Sequence, residues 1–131
     1  MGRTVSRGIL DTSVLIATDV APIPGELAIS VISVTELQFG ALVAKDQRTR
    51  GVRLARLSAV QRRFDPLPVD DGVADSYAQL AERVVRVGRQ PRARTMDLLI
   101  AATARAHDAV VHTRNIDDFA GLEDLVTVVR V

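Results

Sequence analysis

The chain reads as an α/β protein, a parallel sheet with helices on both faces. Two observations predict this. Short apolar runs alternate with segments of helical spacing from end to end, and acidic residues recur just after the strands or in the first turn of the helices. In open α/β sheets ligands bind in the crevice outside the carboxyl ends of the strands, so the second observation bears on function as well as fold. No repeat, linker or low-complexity segment interrupts the pattern. At 131 residues, 47% of them hydrophobic, the chain fits one domain, residues 1–131, with a core of its own.

The first strand is Ile9-Leu10, and it ends on Asp11. Thr12 and Ser13 then open an apolar helix that runs through Ala17. Pro22 and Pro24 mark Asp19 to Gly25 as a loop. Glu26-Leu27-Ala28-Ile29-Ser30-Val31-Ile32 is the second strand, and Ser33 starts a helix reaching Lys45. Another helix covers Thr49 to Arg63, with Leu54, Leu57 and Val60 along its apolar stripe. Leu67-Pro68-Val69 is a short third strand, confined to an edge because proline has no N–H to give to a ladder. A long helix from Asp70 or Asp71 to Val87 carries Val73, Tyr77, Leu80, Ala81 and Val84 at core spacing. Gly88 to Arg94 is a basic loop, Thr95 to His107 a mostly buried helix, Ala109-Val110-Val111-His112 a strand and Val126 to Arg130 the last strand. Phe64, Tyr77 and Phe119 are isolated at core spacing and read as core rather than as platforms for stacked bases.

Composition narrows the chemistry. The chain has no cysteine, which excludes a disulfide framework and thiolate catalysis and suits a reducing cytoplasm. His107 and His112 are its only histidines, too few for a zinc site of the His/Cys kind, whereas carboxylate oxygens suit magnesium or manganese. No apolar run approaches the ~20 residues of a membrane span, so no membrane is expected as a partner. Met1-Gly2-Arg3-Thr4-Val5-Ser6 fits a short, permissive myristoylation pattern but reads as a tail.

The acids carry the functional signal. Asp11 follows the first strand, Glu36 lies in the first turn of the next helix, Asp97 in the first turn of the Thr95 helix, and Asp117 and Asp118 follow the strand ending at His112. Each has an ordinary role open to it. Ser33-Val34-Thr35-Glu36 matches a capping box, Thr95 could cap a helix whose dipole welcomes Asp97, and Asn115-Ile116-Asp117-Asp118 follows the same logic. Together they are harder to explain as caps. In a parallel sheet these carboxylates fall at one end, and clustered like charges repel unless a cation neutralises them or a proton is taken up.

The net charge is only +1, yet the cations are nearly all arginine and are bunched. Arg48, Arg50, Arg53, Arg56, Arg62 and Arg63 occupy a stretch free of acids, and Arg83, Arg86, Arg89, Arg92 and Arg94 form a second cluster. The planar donor fork of arginine suits phosphate, so the two stretches point to nucleic acid; solvated helix faces are the plainer alternative.

Four segments, in order and spacing, resemble the four motifs of PIN-domain proteins. They are Ile9-Leu10-Asp11-Thr12-Ser13; Ser33-Val34-Thr35-Glu36-Leu37 with Gly40; Asp97-Leu98-Leu99-Ile100-Ala101-Ala102-Thr103-Ala104; and Thr113-Arg114-Asn115 with Asp118-Phe119. Within that group the chain resembles the VapC toxins of bacterial toxin–antitoxin pairs. The resemblance implies a three-layer α/β/α sandwich with strand order 3-2-1-4-5 and a metal-dependent endoribonuclease. It further implies a cognate antitoxin, a homodimer, and heterotetramers or larger assemblies with that antitoxin. Metal and catalytic roles pass to Asp11, Glu36 and Asp97. Some relatives have aspartate where this chain has Asn115, so the fourth role is open to Asp117, Asp118 or the Asn115 carbonyl.

The residue types suit that chemistry by themselves. Magnesium takes oxygen ligands, keeps several waters and needs no closed cage, so Asp11 and Asp97 can serve as direct ligands with Glu36 as ligand or water-orienting base. Thr12, Ser13, Thr113 and Asn115 can hold the carboxylates by hydrogen bonds, or serve as ordinary caps. Arg89, Arg92 and Arg94, in the loop just before Asp97, are the candidate RNA contacts. Rival readings fit less well. A haloacid-dehalogenase-type phosphatase needs an aspartate where this chain has Ser13, and a receiver-type domain needs a lysine after a late strand, whereas the only lysine is Lys45. A PIN-fold nuclease outside a toxin–antitoxin pair and an inactive binding module are the remaining alternatives.

Overall fold

The computed structural model describes residues 6–131, so most of the expected tail, Met1 to Val5, lies outside the described residues. The strands are β1 (Arg7–Leu10), β2 (Glu26–Ala28), β3 (Val110–Thr113) and β4 (Val128–Arg130), all parallel and ordered β2-β1-β3-β4. The expected third strand is reduced to one parallel bridge, Ser30 to Leu67, beside β2. It sits at the edge, as Pro68 requires, and with it counted the order is the expected 3-2-1-4-5.

The helices are α1 (Thr12–Ile16), α2 (Val31–Leu42), α3 (Gln47–Arg63), α4 (Asp71–Arg86) and α5 (Thr95–Ala106). They form layers on both faces because successive residues of a strand point to opposite sides. Ile9 and Val111 face a core made with Val73, Leu80 and Val84 of α4, Leu98, Ile100 and Ala101 of α5, and Phe119. Leu10 and Ile29 face the other core, with Val14 of α1, Val34 and Leu37 of α2, and Leu57 and Val60 of α3. Burying a side chain of this size stabilises by about 1.5–3 kcal/mol. The run Ala101, Ala102 and Ala104, all fully buried, gives α5 a small-residue surface against the sheet.

Several boundaries move for identifiable reasons. Helix α2 starts at Val31, not Ser33, because Ser30 caps it by accepting the Ile32 N–H at 3.0 Å while Val31 N–H is held by Leu67 at 2.9 Å. The capping box expected of Ser33 and Glu36 is therefore not formed. Asp46 caps α3, accepting the Thr49 N–H at 2.7 Å, which starts that helix at Gln47. Leu54 is exposed rather than core, since the buried stripe of α3 is Leu57 and Val60. Arg50 and Arg53 reach back to the last carbonyls of α2, at Leu42 and Gly40. Helix α4 stops where Gly88 adopts φ +81°, letting the Arg89 N–H bond the Val84 carbonyl and the Gly88 N–H that of Val85. Among the described residues no helix is long and apolar enough to cross a membrane.

Candidate active site

Asp11 is the fixed point. Its backbone N–H donates to the His112 carbonyl of β3 at 2.9 Å, continuing the sheet for one residue, and the side chain turns out at the head of α1. The residue is only 4% exposed, so its carboxylate needs partners. Thr113, at the end of β3 and fully buried, donates to Oδ2 at 2.8 Å, and Ser13 donates to the same oxygen at 2.8 Å. Among the described residues Oδ1 receives no hydrogen bond. The two hydroxyls are themselves held: the Asn115 N–H donates to Thr113 Oγ1 at 2.9 Å and the Arg114 N–H to Ser13 Oγ at 3.0 Å. Both hydroxyls thus donate to a carboxylate rather than cap α1.

Glu36 is turned toward α1 because Ser30, not Ser33, caps α2. Thr12 Oγ1 donates to Glu36 Oε1 at 2.6 Å and lies 2.8 Å from Ser33 Oγ. A carboxylate can only accept, so the single Thr12 hydrogen goes to Glu36 and Ser33 supplies the other. A groove of about 440 Å³ opens beside this group, lined by Thr12, Ile16, Glu36, Leu37, Gly40, Arg53 and Arg56. Sequence distance concealed that two arginines of α3 share a groove with a motif acid.

Asp97 lies in the first turn of α5 and is half-buried. Thr95 does not cap this helix; it is its first residue and donates to the Arg92 carbonyl at 3.1 Å. Burial first, then the charges of Asp118, Asp11 and Glu36, push the Asp97 carboxyl up to about 6, while the Arg94 guanidinium pulls it down. Three acids from three other segments thus bear on Asp97. Of the two acids in the 3₁₀ helix Ile116–Phe119, Asp118 is the one whose charge bears on Asp97. Asn115 is exposed, and its side chain makes no cap bond at the head of that helix.

Among the described residues no three acidic or histidine side chains stand close enough together to hold a metal ion between them. The carboxylates feel one another's charge across an open site, and such a donor set of hard oxygens under mutual repulsion fits a divalent cation that keeps part of its water shell. The histidines stand aside. His107 caps the end of α5, and His112 is buried over Gly8 with Nδ1 unpartnered and its pKa lowered by burial.

The arginines divide. Arg89 and Arg92 are exposed, whereas Arg94 is turned inward, donating to the backbone carbonyls of Asp118 and Ala120. Arg114 was not singled out as a site residue, yet it forks onto Asp19 at 2.8 Å and 3.3 Å, tying the segment after α1 to the end of β3. The paired guanidinium holds the Asp19 carboxyl below its ordinary range.

A parallel sheet with acids gathered at its carboxyl end defines a class, and the family model for the PIN domain matches residues 8–124: the chain belongs to the PIN-domain family. It is 40% identical over 134 residues to "Ribonuclease VapC5" of Mycobacterium tuberculosis, covering 98% of this chain and 96% of that protein. Within the family it is of the VapC type. Its structure is similar to a member of the VapBC family of toxin–antitoxin systems, VapBC-5, from Mycobacterium tuberculosis, with a TM-score of 0.83, 39% identity and coverage of 96% and 98% of the two chains. It is also similar to FitAcB from Neisseria gonorrhoeae, with a TM-score of 0.72, 28% identity and coverage of 92% and 95%.

Proposed function

We propose that the chain, as one PIN domain over residues 1–131, is a magnesium- or manganese-dependent endoribonuclease toxin acting in the cytoplasm and neutralised by a cognate antitoxin. The observation that carries the reading is the charge convergence on Asp97, which is favourable only with a proton or a cation present. The VapC5 relative, named a ribonuclease, supports RNA as substrate, and the VapBC-5 neighbour supports an antitoxin partner. Homodimers, and heterotetramers or larger with the antitoxin, are the assemblies this reading expects.

Asp11 and Asp97 are the direct ligands in this reading, with Asp118 completing the acidic set. Thr113 and Ser13 hold Asp11 by Oδ2, so Oδ1 would be available to a cation. Glu36, fixed by Thr12, orients the attacking water and accepts its proton. A bound divalent cation supplies positive charge that polarises the scissile phosphodiester and lowers the pKa of water. Arg89 and Arg92 contact RNA phosphates in this reading, and Arg56 lines the groove beside Glu36.

The test is cleavage of a mixed RNA pool with Mg²⁺ or Mn²⁺ against the same reaction in EDTA, for the native chain, Asp11→Asn and Asp97→Asn. Metal-dependent cuts should fall about a hundredfold or more in both variants. Cleavage that persists in EDTA, or a folded Asp97→Asn of full activity, refutes the reading.

A further inference from the structure

Arg94 does something different from its neighbours. It closes the 3₁₀ helix Pro91–Arg94, and its guanidinium spans to a second 3₁₀ helix, Ile116–Phe119. Nε donates to the Asp118 carbonyl at 3.1 Å, Nη2 donates to the same oxygen, and Nη1 donates to the Ala120 carbonyl at 3.2 Å. At the ends of the second helix the Asp118 N–H donates to the Asn115 carbonyl at 3.0 Å and the Ala120 N–H to the Asp117 carbonyl at 3.2 Å. Phe119, 1% exposed, anchors the turn in the core from one side. Arg94 supplies the anchor on the other side, at carbonyls the turn itself leaves without partners.

We infer that Arg94 is a positioning residue of the acidic site, whose guanidinium fork pins the backbone of Asp118 and Ala120 and so fixes the turn that carries the Asp118 carboxylate. The inference rests on the metal-site reading above and goes beyond it, because Arg94 touches neither metal nor substrate. Arginine is the residue the geometry needs. Its planar fork bridges two carbonyl oxygens at once, whereas lysine offers a point charge that satisfies one. With all three guanidinium nitrogens engaged on carbonyls, Arg94 has little left with which to grip a phosphate.

The experiment compares Arg94→Lys, which keeps the charge and loses the fork, with the exposed neighbour Arg92→Ala. Mn²⁺ affinity is measured by calorimetry, and metal-free RNA affinity is followed against salt. A partner acting through a ligand changes metal affinity by roughly 10–100-fold, so Arg94→Lys should bind Mn²⁺ about tenfold or more weakly while Arg92→Ala binds as the native chain does. In an Asp118→Asn background the same Arg94→Lys change should alter Mn²⁺ affinity less than about twofold, because the route of its action is gone. A merely structural arginine would give equal losses in both backgrounds, and that outcome overturns the inference. Unchanged Mn²⁺ affinity in Arg94→Lys overturns it too, as does an Arg94→Gln variant whose main defect is a shallower salt slope for RNA. Arg94→Gln also replaces Arg94→Lys in the cycle if the lysine disturbs folding. A native chain that takes up no Mn²⁺ overturns the metal reading itself, whereas native uptake matched by Arg94→Lys removes only the role of Arg94.

Discussion

Replacing Asp97 by asparagine should stabilise the metal-free protein, and the size follows from the site. Asp97 titrates near 6 in the folded chain against an ordinary value of 3.8. One pKa unit is about 1.36 kcal/mol, so ionising it in the fold costs about 3 kcal/mol more than in the unfolded chain, and roughly half of that once solvent reaching a half-buried group is allowed for. The sign is that of a raised acid. Below pH 3.8 Asp97 is protonated in both states and costs nothing; between 3.8 and about 6 the folded chain holds more protons, so stability falls as pH rises; above 6 the full cost remains. Asp97→Asn removes the charge and keeps the shape, and no hydrogen bond to the Asp97 side chain is lost among the described residues. In EDTA the variant should therefore be about 1–2 kcal/mol more stable at pH 8, or some 3–8 °C in Tm, and no more stable below pH 4. Urea unfolding of both proteins across that range is the assay. A stability difference that does not change with pH refutes the argument that Asp97 is strained by burial and by its acidic neighbours. Added Mn²⁺ should reverse the order, because only the native site gains binding energy that the unfolded chain lacks.

Thr113→Val should cost about 1–3 kcal/mol by urea unfolding, since it strips a donor from Asp11 and an acceptor from the Asn115 N–H in a fully buried place; a loss under about 0.5 kcal/mol would contradict the oriented carboxylate. Gly8→Ala should lower Tm by an amount worth about 1–3 kcal/mol, because the new methyl would stand 2.6 Å from the His112 ring, and an unchanged Tm would show that the ring can move aside freely. The double variant Arg89→Ala/Arg92→Ala should flatten the salt dependence of RNA affinity by about 0.7 per phosphate contact removed and leave Mn²⁺ binding alone. Superimposable salt slopes would show that this loop does not hold RNA.

The alternation of strands and helices and the proline-limited edge were legible because they rest on hydrophobic period and chain direction. What was not legible was decided by contacts remote in sequence. Val31 and Ile32 are β-branched and read as strand, and only the bridge from Ser30 to Leu67 ends β2 and makes Ser30 the cap. That shift of one helical turn frees Glu36 from capping and gives it to Thr12. Asp117 and Asp118 are equivalent as spacing, but neighbours in a 3₁₀ helix stand about 120° apart, so once Phe119 is buried the two point in different directions. Arg94 looked like one more cation in a basic loop, and nothing local announces carbonyl partners 24 residues onward.

The near loss of the third strand bears on how the chain behaves in a crowded solution. A sheet edge with a row of open N–H and C=O groups is a template on which a second molecule can add a strand and begin an aggregate. Just past the end of β2, Leu67 both accepts from Val31 and donates to Ile29, at 2.9 Å and 2.8 Å. The next residue is Pro68, with no N–H to offer. The opposite edge, β4, is only three residues long and carries Arg130, a charge that discourages stacking. Both edge strands are only three residues long, so each border offers little ladder for a second molecule to extend.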